Sequence, residues 1–182
     1  MKERCKWVNT DNPLYVEYHD SEWSVPKHND KELFELLILE GFQAGLSWEC
    51  VLNKRQDFRR AYDNFDVEKV SRYGQDKINE LMADCKIIRN RRKIEASIEN
   101  ASVFMEIQRE FGSFDKYIWS FTNGEVIFED YSLYTFTPLS LKISKDLKKR
   151  GMKFVGETII YSYLQAIGVI YAHGKECSMC KG

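Results

Sequence analysis

The chain is 182 residues long, enough to bury a real core as one domain or two small lobes. Its formal net charge of −1 excludes a polycation that holds nucleic acid by bulk charge, and the lack of any apolar run of about 18 residues excludes a transmembrane helix. The start, Met1 to Trp7, has no apolar signal region, so the expected setting is cytoplasmic, away from any membrane. The five cysteines are then expected as thiols or metal ligands rather than disulfides.

Residues 1–30 read as irregular, with Asn9, Asn12, Pro13, Pro26 and Asn29 as turn signals. A helical pattern follows over 31–43, with Asp30 as its expected N-cap. Further patterns cover 46–62, 66–72, 76–84, 90–111, 114–121, 140–150 and 156–171, with Asp66 and Ser140 as later caps. The stretch 125–137 mixes aromatic and β-branched residues and reads as a loop or short hairpin. There is no internal repeat or low-complexity segment. The expected class is all-α, a single domain spanning 1–182 in two helical lobes.

Glu40 stands out in the first of these helices. Leu33, Leu36 and Leu37 share one side at the i, i+3, i+4 spacing, and Glu40 continues that stripe at i+7, with Lys31, Glu32 and Glu35 on the polar side. A carboxylate among leucines is costly unless a cation or a hydrogen-bond donor meets it. The small-residue turn Gly41–Gly45 and the plate of Trp48 come next, and together they suggest a pocket for a flat, polar, cationic ligand. The alternative is an ion pair with an Arg or Lys from elsewhere, or escape to solvent near the helix end.

Cys50 and Cys85 fall inside or beside helical patterns and read as small buried thiols. The other three cysteines lie near the chain ends. His173 and Cys177 form a His-x3-Cys spacing, and Cys5 and His19 sit near the start. Two thiolates and two imidazoles suit a tetrahedral zinc that clips the termini together, with no position left for a catalytic water. Cys180 competes with Cys177 for the fourth place, and unliganded surface thiols are the alternative. His28 has no partner motif and reads as surface.

Lys86, Arg89, Arg91, Arg92 and Lys93 form a basic run without an acid, and Lys145–Lys153 forms a second with only Asp146. Each either tracks a phosphate backbone or is a solvated helix face. Around the first, a helix ends near Asp84 and another starts near Asn90, with Ile87, Ile88 and Ile94 as anchors. The unit over 76–101 resembles a helix-hairpin-helix, whose backbone N–H groups and helix N-terminus suit phosphate.

Taken together, the chain resembles the DNA-3-methyladenine glycosylase I family over essentially its whole length. The blocks that carry the resemblance are Arg4-Cys5-x-Trp7, Leu14-Tyr15-x-x-Tyr18-His19-Asp20-x-Glu22-Trp23, and Glu40-Gly41-x-Gln43-Ala44-Gly45-Leu46-Ser47-Trp48. Ile87-Ile88-Arg89-Asn90-Arg91-x-Lys93-Ile94 and Lys153-Phe154-Val155-Gly156 with His173-x3-Cys177 complete them. Lys86 stands where the hairpin usually has glycine, Ser24 stands where glycine usually follows the family's tryptophan, and Phe42 replaces a common polar residue beside Glu40.

The resemblance implies a base-excision enzyme that turns 3-methyladenine out of alkylated double-stranded DNA and hydrolyses its glycosidic bond. No Lys is placed as a Schiff-base nucleophile, so no lyase activity is expected, and with no sign of oligomerisation a monomer is the expectation. The resemblance implies a structural zinc on Cys5, His19, His173 and Cys177. It makes Glu40 the catalytic and base-reading acid, Tyr18 and Trp48 the stacking walls, and Tyr15 an edge. Gly45 and Leu46 become the wedge turn, with Leu46 an ordinary core leucine in the alternative. Lys86, Arg89, Arg91 and Lys93 become phosphate contacts. Trp7 and Trp23 are expected to pack around the clipped end, with Trp23 able to border the pocket. Asp115 is not expected to serve as a water-activating acid. A zinc-stapled, non-catalytic DNA-binding protein and a glycosylase for another alkylated purine are the competing readings.

Overall fold

The structure, a computed structural model, describes residues 3–180, and its elements are almost entirely helical, as expected. Asn29, not Asp30, caps the helix α2 (Asp30–Gln43) by accepting from the Lys31 and Glu32 amides at 2.9 and 3.4 Å. The Asp30 carboxylate instead accepts from Phe114 N, Asp115 N and Gln108 Nε2, and so caps a later helix, α8 (Phe114–Ser120). All ten residues from Leu33 to Phe42 are buried, so α2 is a central rod wrapped on every side rather than an amphipathic surface helix. Glu35, placed by its spacing on the polar face, is buried and paired with Arg55 and Arg59. Arg55 also reaches Glu22 at 2.7 Å, which ties the N-terminal segment to the rod.

That N-terminal segment is ordered, contrary to its irregular appearance. Asn12 caps α1 (Pro13–Glu17), with Pro13 in the first turn where its missing N–H is harmless. A π-helical turn, Tyr18–Glu22, follows directly. Both are too short to show a hydrophobic period. The expected helix over 46–62 is two pieces, α3 (Trp48–Leu52) and α4 (Arg55–Ala61). Between them, the Asn53 side chain accepts from Asn12 at 3.0 Å and Lys54 reaches the Lys86 carbonyl at 3.1 Å, so the break docks two other segments.

Asp66 caps α5 (Val67–Ser71) as expected. The hairpin is formed by α6 (Gln75–Ala83) and α7 (Arg91–Phe111), the latter capped by Asn90. In the link, Asp84 Oδ1 accepts from the Lys86 amide at 2.9 Å and Ile87 is buried as an anchor. Lys86 is absent from the residues with positive φ, so this turn does not require a glycine. Cys85 lies exposed in the link rather than buried, and Cys50 is half-buried.

Thr137, rather than Ser140, caps α9 (Pro138–Lys149), with Ser140 completing a capping box. The last helix, α10 (Glu157–Ala166), ends five residues before the expected 171. Gly168 turns the chain at φ +73° with the Val25 and Pro26 backbone so close that a Cβ would lie 2.3 Å from it. The Lys27 ammonium caps the end of α10, at 3.0 Å from the Ala166 carbonyl. The chain then runs extended: β2 (Ile170–Tyr171) pairs in parallel with β1 (Ile127–Phe128), in place of a local hairpin over 125–137. No helix among the described residues is long and apolar enough to cross a membrane.

Candidate active site and metal centre

Glu40 sits on the last turn of α2 and is 3% exposed. It faces a cavity of about 270 Å³ lined by Trp7, Tyr15, Tyr18, Trp23 and Trp48 and by residues of the 131–135 loop and α10. Among the described residues no cation pairs with it, and its Oε2 has no hydrogen-bond partner. Burial alone pushes its carboxyl up to about 8. A second cavity residue, Trp48, has its buried Nε1 without a partner. Unsatisfied buried polar atoms are rare in folded proteins, and two at one cavity mark it as built for a ligand that supplies the missing bonds.

The walls are aromatic. Tyr18 and Trp48 lie with ring centroids 5.4 Å apart, and Trp7 meets Tyr15 at 5.1 Å and Trp23 at 4.8 Å. Trp7 and Trp23 therefore do two jobs: they line the cavity, and their other faces pack on His19 and His173. The π-turn makes this possible. It aims Tyr18 into the cavity and its neighbour His19 at the opposite cluster, a re-aiming that π-turns commonly provide at functional sites. Tyr131, Tyr134, Tyr161 and Gln165 also line the cavity and carried no period or motif that could have found them. Phe42 does not: it packs on Phe58 and Tyr62, away from the cavity.

Behind the tryptophans, Cys5, His19, His173 and Cys177 are all buried, with their ligand atoms within 4.8 Å of one another. Cys177 Sγ lies 3.5 Å from both His19 Nε2 and His173 Nδ1, and Cys5 Sγ lies 3.8 Å from His173 Nδ1. Cys180 stays outside the set. Burial pushes the Cys5 thiol up to about 12, so a thiolate there needs a cation beside it. His19 Nδ1 is held by Asp20 at 2.8 Å, and Asp20 by Arg4 at 2.6 Å, the carboxylate–histidine support that metal ligands use. The cluster can hold a metal ion.

The turn after α2 presents Gly45 and Leu46 to solvent, with Gly45 at φ +79° and Leu46 41% exposed. Lys86, Arg89 and Arg91 are exposed on the hairpin, Arg91 near Glu95 at 3.5 Å. Lys93 is not with them. It is buried, and its ammonium donates to the carbonyls of Phe42 and Ala44 at 2.8 and 2.6 Å. It therefore clamps the Ala44–Ser47 turn onto α7 and offers no charge to solvent. In the second basic run, Lys148, Arg150 and Lys153 pair with Glu157, Glu110 and Glu99, which favours the solvated-face reading.

Ser24 adopts φ 64°, the left-handed conformation a glycine takes freely, and its Oγ accepts from the Ala172 amide at 3.1 Å. His28 does have a partner: it pairs with Asp115 at 2.7 Å and stacks on Trp119, so Asp115 is engaged away from the cavity.

The whole architecture is shared with a crystal structure of 3-methyladenine DNA glycosylase I, at TM-score 0.93 and 40% identity over 97% of this chain and 99% of that one. A Staphylococcus aureus enzyme whose structure concerns 3-methyladenine recognition matches at TM-score 0.89 and 37% identity, over 93% and 92% of the two chains. In sequence, the DNA-3-methyladenine glycosylase 1 of Escherichia coli (strain K12) is 42% identical over 99% of this chain and 98% of its own. The methyladenine glycosylase profile matches residues 7–181. The chain belongs to the methyladenine glycosylase family.

Proposed function

We propose that this enzyme excises 3-methyladenine from alkylated double-stranded DNA by hydrolysis, without a lyase step. The observation that carries the reading is Glu40, a buried, unpaired acid at the wall of an aromatic cavity. A 3-methyladenine base on deoxyribose bears a formal positive charge. Glu40 accepts from its exocyclic amino group, while Tyr18 and Trp48 hold its faces at about 0.5–2 kcal/mol per good cation–π contact. A neutral adenine supplies no such charge to offset the burial of Glu40, and that difference is the selectivity.

To reach the cavity the nucleotide must leave the stack, at a cost of a few kcal/mol. Exposed Leu46, presented by the Gly45 turn and the Lys93 clamp, fills the emptied space. Lys86, Arg89 and Arg91 on the hairpin hold backbone phosphates. Bond cleavage is heterolytic: the C1′–N pair stays on the base, which leaves neutral, and a water oxygen bonds to C1′ while its proton goes to solvent. No lysine lines the cavity among the described residues, which supports a monofunctional reaction.

We assign the Cys-His cluster to one structural zinc per chain. A tetrahedral zinc with ligands at about 2.0–2.3 Å sets those ligands about 3.3–3.8 Å apart. The 3.5 and 3.8 Å separations fit it. The test of the activity is chromatographic identification of the base released from methylated duplex DNA. The wild-type chain is expected to release 3-methyladenine, and Glu40→Gln at least tenfold more slowly, as about 1.4 kcal/mol of lost charge recognition requires. Full activity in Glu40→Gln would remove Glu40 from the mechanism.

A further inference from the structure

Large hydrophobic side chains stand exposed at seven positions among the described residues, and four of the seven fall within 128–136: Phe128, Leu133, Tyr134 and Phe136. Phe128 rests against the Tyr171 ring, with centroids 5.4 Å apart. The other three are 66%, 52% and 47% exposed in a turn, 131–137, that carries no charged residue. This turn is held at both ends. The Tyr131 hydroxyl accepts from the Lys6 amide at 3.0 Å, and Asp130 Oδ1 accepts from the Ser132 amide and hydroxyl at 2.9 and 2.7 Å. At the far end Thr137 is buried and caps α9. Apolar side chains clustered in water on an anchored backbone mark a contact surface.

The position of the turn says what covers it. Tyr131, Tyr134 and Thr135 line the base cavity, and Tyr134 and Thr135 are also exposed, so the turn forms part of the rim. A protein seated there would stop the mouth of the cavity. A nucleotide entering the cavity instead draws its own strand across the rim. Its departure from the stack also bares one face of each neighbouring base and leaves the opposite base without a partner, more apolar surface than Leu46 alone can cover. We propose that the turn 133–136 is a second DNA-contacting element, which packs Leu133, Tyr134 and Phe136 on the bases beside the flipped nucleotide. The inference rests on the cavity taking a nucleotide from duplex DNA. The contact is with base faces, not phosphates: the turn has no Lys or Arg, and Asp130 at its start repels the backbone. Aromatic and aliphatic plates suit any base, because every base has a π-face, so the element adds affinity without reading sequence.

Leu133 and Phe136 are exposed and do not line the cavity, so a Leu133→Ser, Phe136→Ser variant tests the surface without touching the base site. Its melting temperature is expected to match the wild-type one. Its affinity for a duplex carrying an abasic-site analogue is expected to fall about tenfold at fixed salt, and its kcat/KM on alkylated duplex DNA to fall with it. Affinity for free 3-methyladenine, read by tryptophan fluorescence, is expected to hold. The slope of log duplex affinity against log salt is expected to hold too, because no charge is lost. Leu133→Met, Phe136→Tyr keeps the apolar plates and is expected to bind the duplex as the wild-type chain does. Wild-type duplex affinity in the serine variant would overturn this inference alone. So would a variant that loses only self-association in sedimentation, which would assign the surface to a second copy of the chain. A parallel loss of free-base affinity would also overturn it, by making the turn part of the base site. A wild-type chain that neither binds the duplex nor releases 3-methyladenine would overturn it together with the reading of the cavity.

Discussion

In the proposed reading, Glu40 couples stability to recognition at a single position. Its carboxyl, raised from 4.5 to about 8, holds its proton in the empty cavity at neutral pH. A raised acid contributes stability below its ordinary value and loses it as pH climbs through the folded value, at about 1.4 kcal/mol per unit. Glu40→Gln does not titrate. Its melting temperature should therefore gain on the wild-type one from about pH 4.5 to about pH 8 and stay level above that, in paired thermal melts. The cationic nucleotide needs the charged form. The wild-type kcat/KM on 3-methyladenine in DNA should rise toward about pH 8, and that rise should be missing in Glu40→Gln. The residue was conspicuous in the sequence because a carboxylate interrupts a leucine stripe. Tyr161 was not, because a tyrosine in an apolar helix looks like any core tyrosine.

Among the elements, the turn after α2 and the start of α7 work as one piece through Lys93. Its ammonium satisfies the Phe42 and Ala44 carbonyls at the helix end, where α2 has no further amides to offer. Lys93→Met should lower unfolding free energy by about 1–3 kcal/mol, the cost of leaving buried carbonyls unpaired. It should also slow excision by loosening Leu46, yet leave the salt dependence of DNA binding unchanged. Arg89→Ala should do the reverse: unchanged stability and a slope of log affinity against log salt reduced by about one. Titrations of DNA binding at several salt concentrations separate the two. In sequence the five basic residues of that run look equivalent. Only the packing of α7 against α2 turns one of them inward. The π-turn at Tyr18–Glu22 is the other decisive element, because it points consecutive residues at two different sites.

For the molecule as a whole, the Cys-His cluster joins the two ends of the chain, with the Ser178 amide also bonded to the Glu3 carbonyl at 2.9 Å. Trp7 and Trp23 are shared between this cluster and the base cavity. Losing the metal should therefore damage the cavity as well as the clip. We expect about one zinc per chain by elemental analysis, and a Cys5→Ser, Cys177→Ser variant without it. That variant should melt well below the wild-type chain and bind free 3-methyladenine more weakly. Zinc content equal to wild type would exclude these ligands.

The helical class, the long helix α7 and the hairpin around Ile87 were readable from the sequence, because apolar period is local; the Cys and His residues of the cluster were named by residue type, with Cys177 preferred over Cys180 only through the family resemblance. The burial of α2 on every side, the inward turn of Lys93, the parallel pairing of Ile127–Phe128 with Ile170–Tyr171, and the loop and α10 residues that complete the cavity were decided by tertiary packing. Those features depend on what lies opposite a side chain in space, and residues far apart in the chain leave no period by which to find one another.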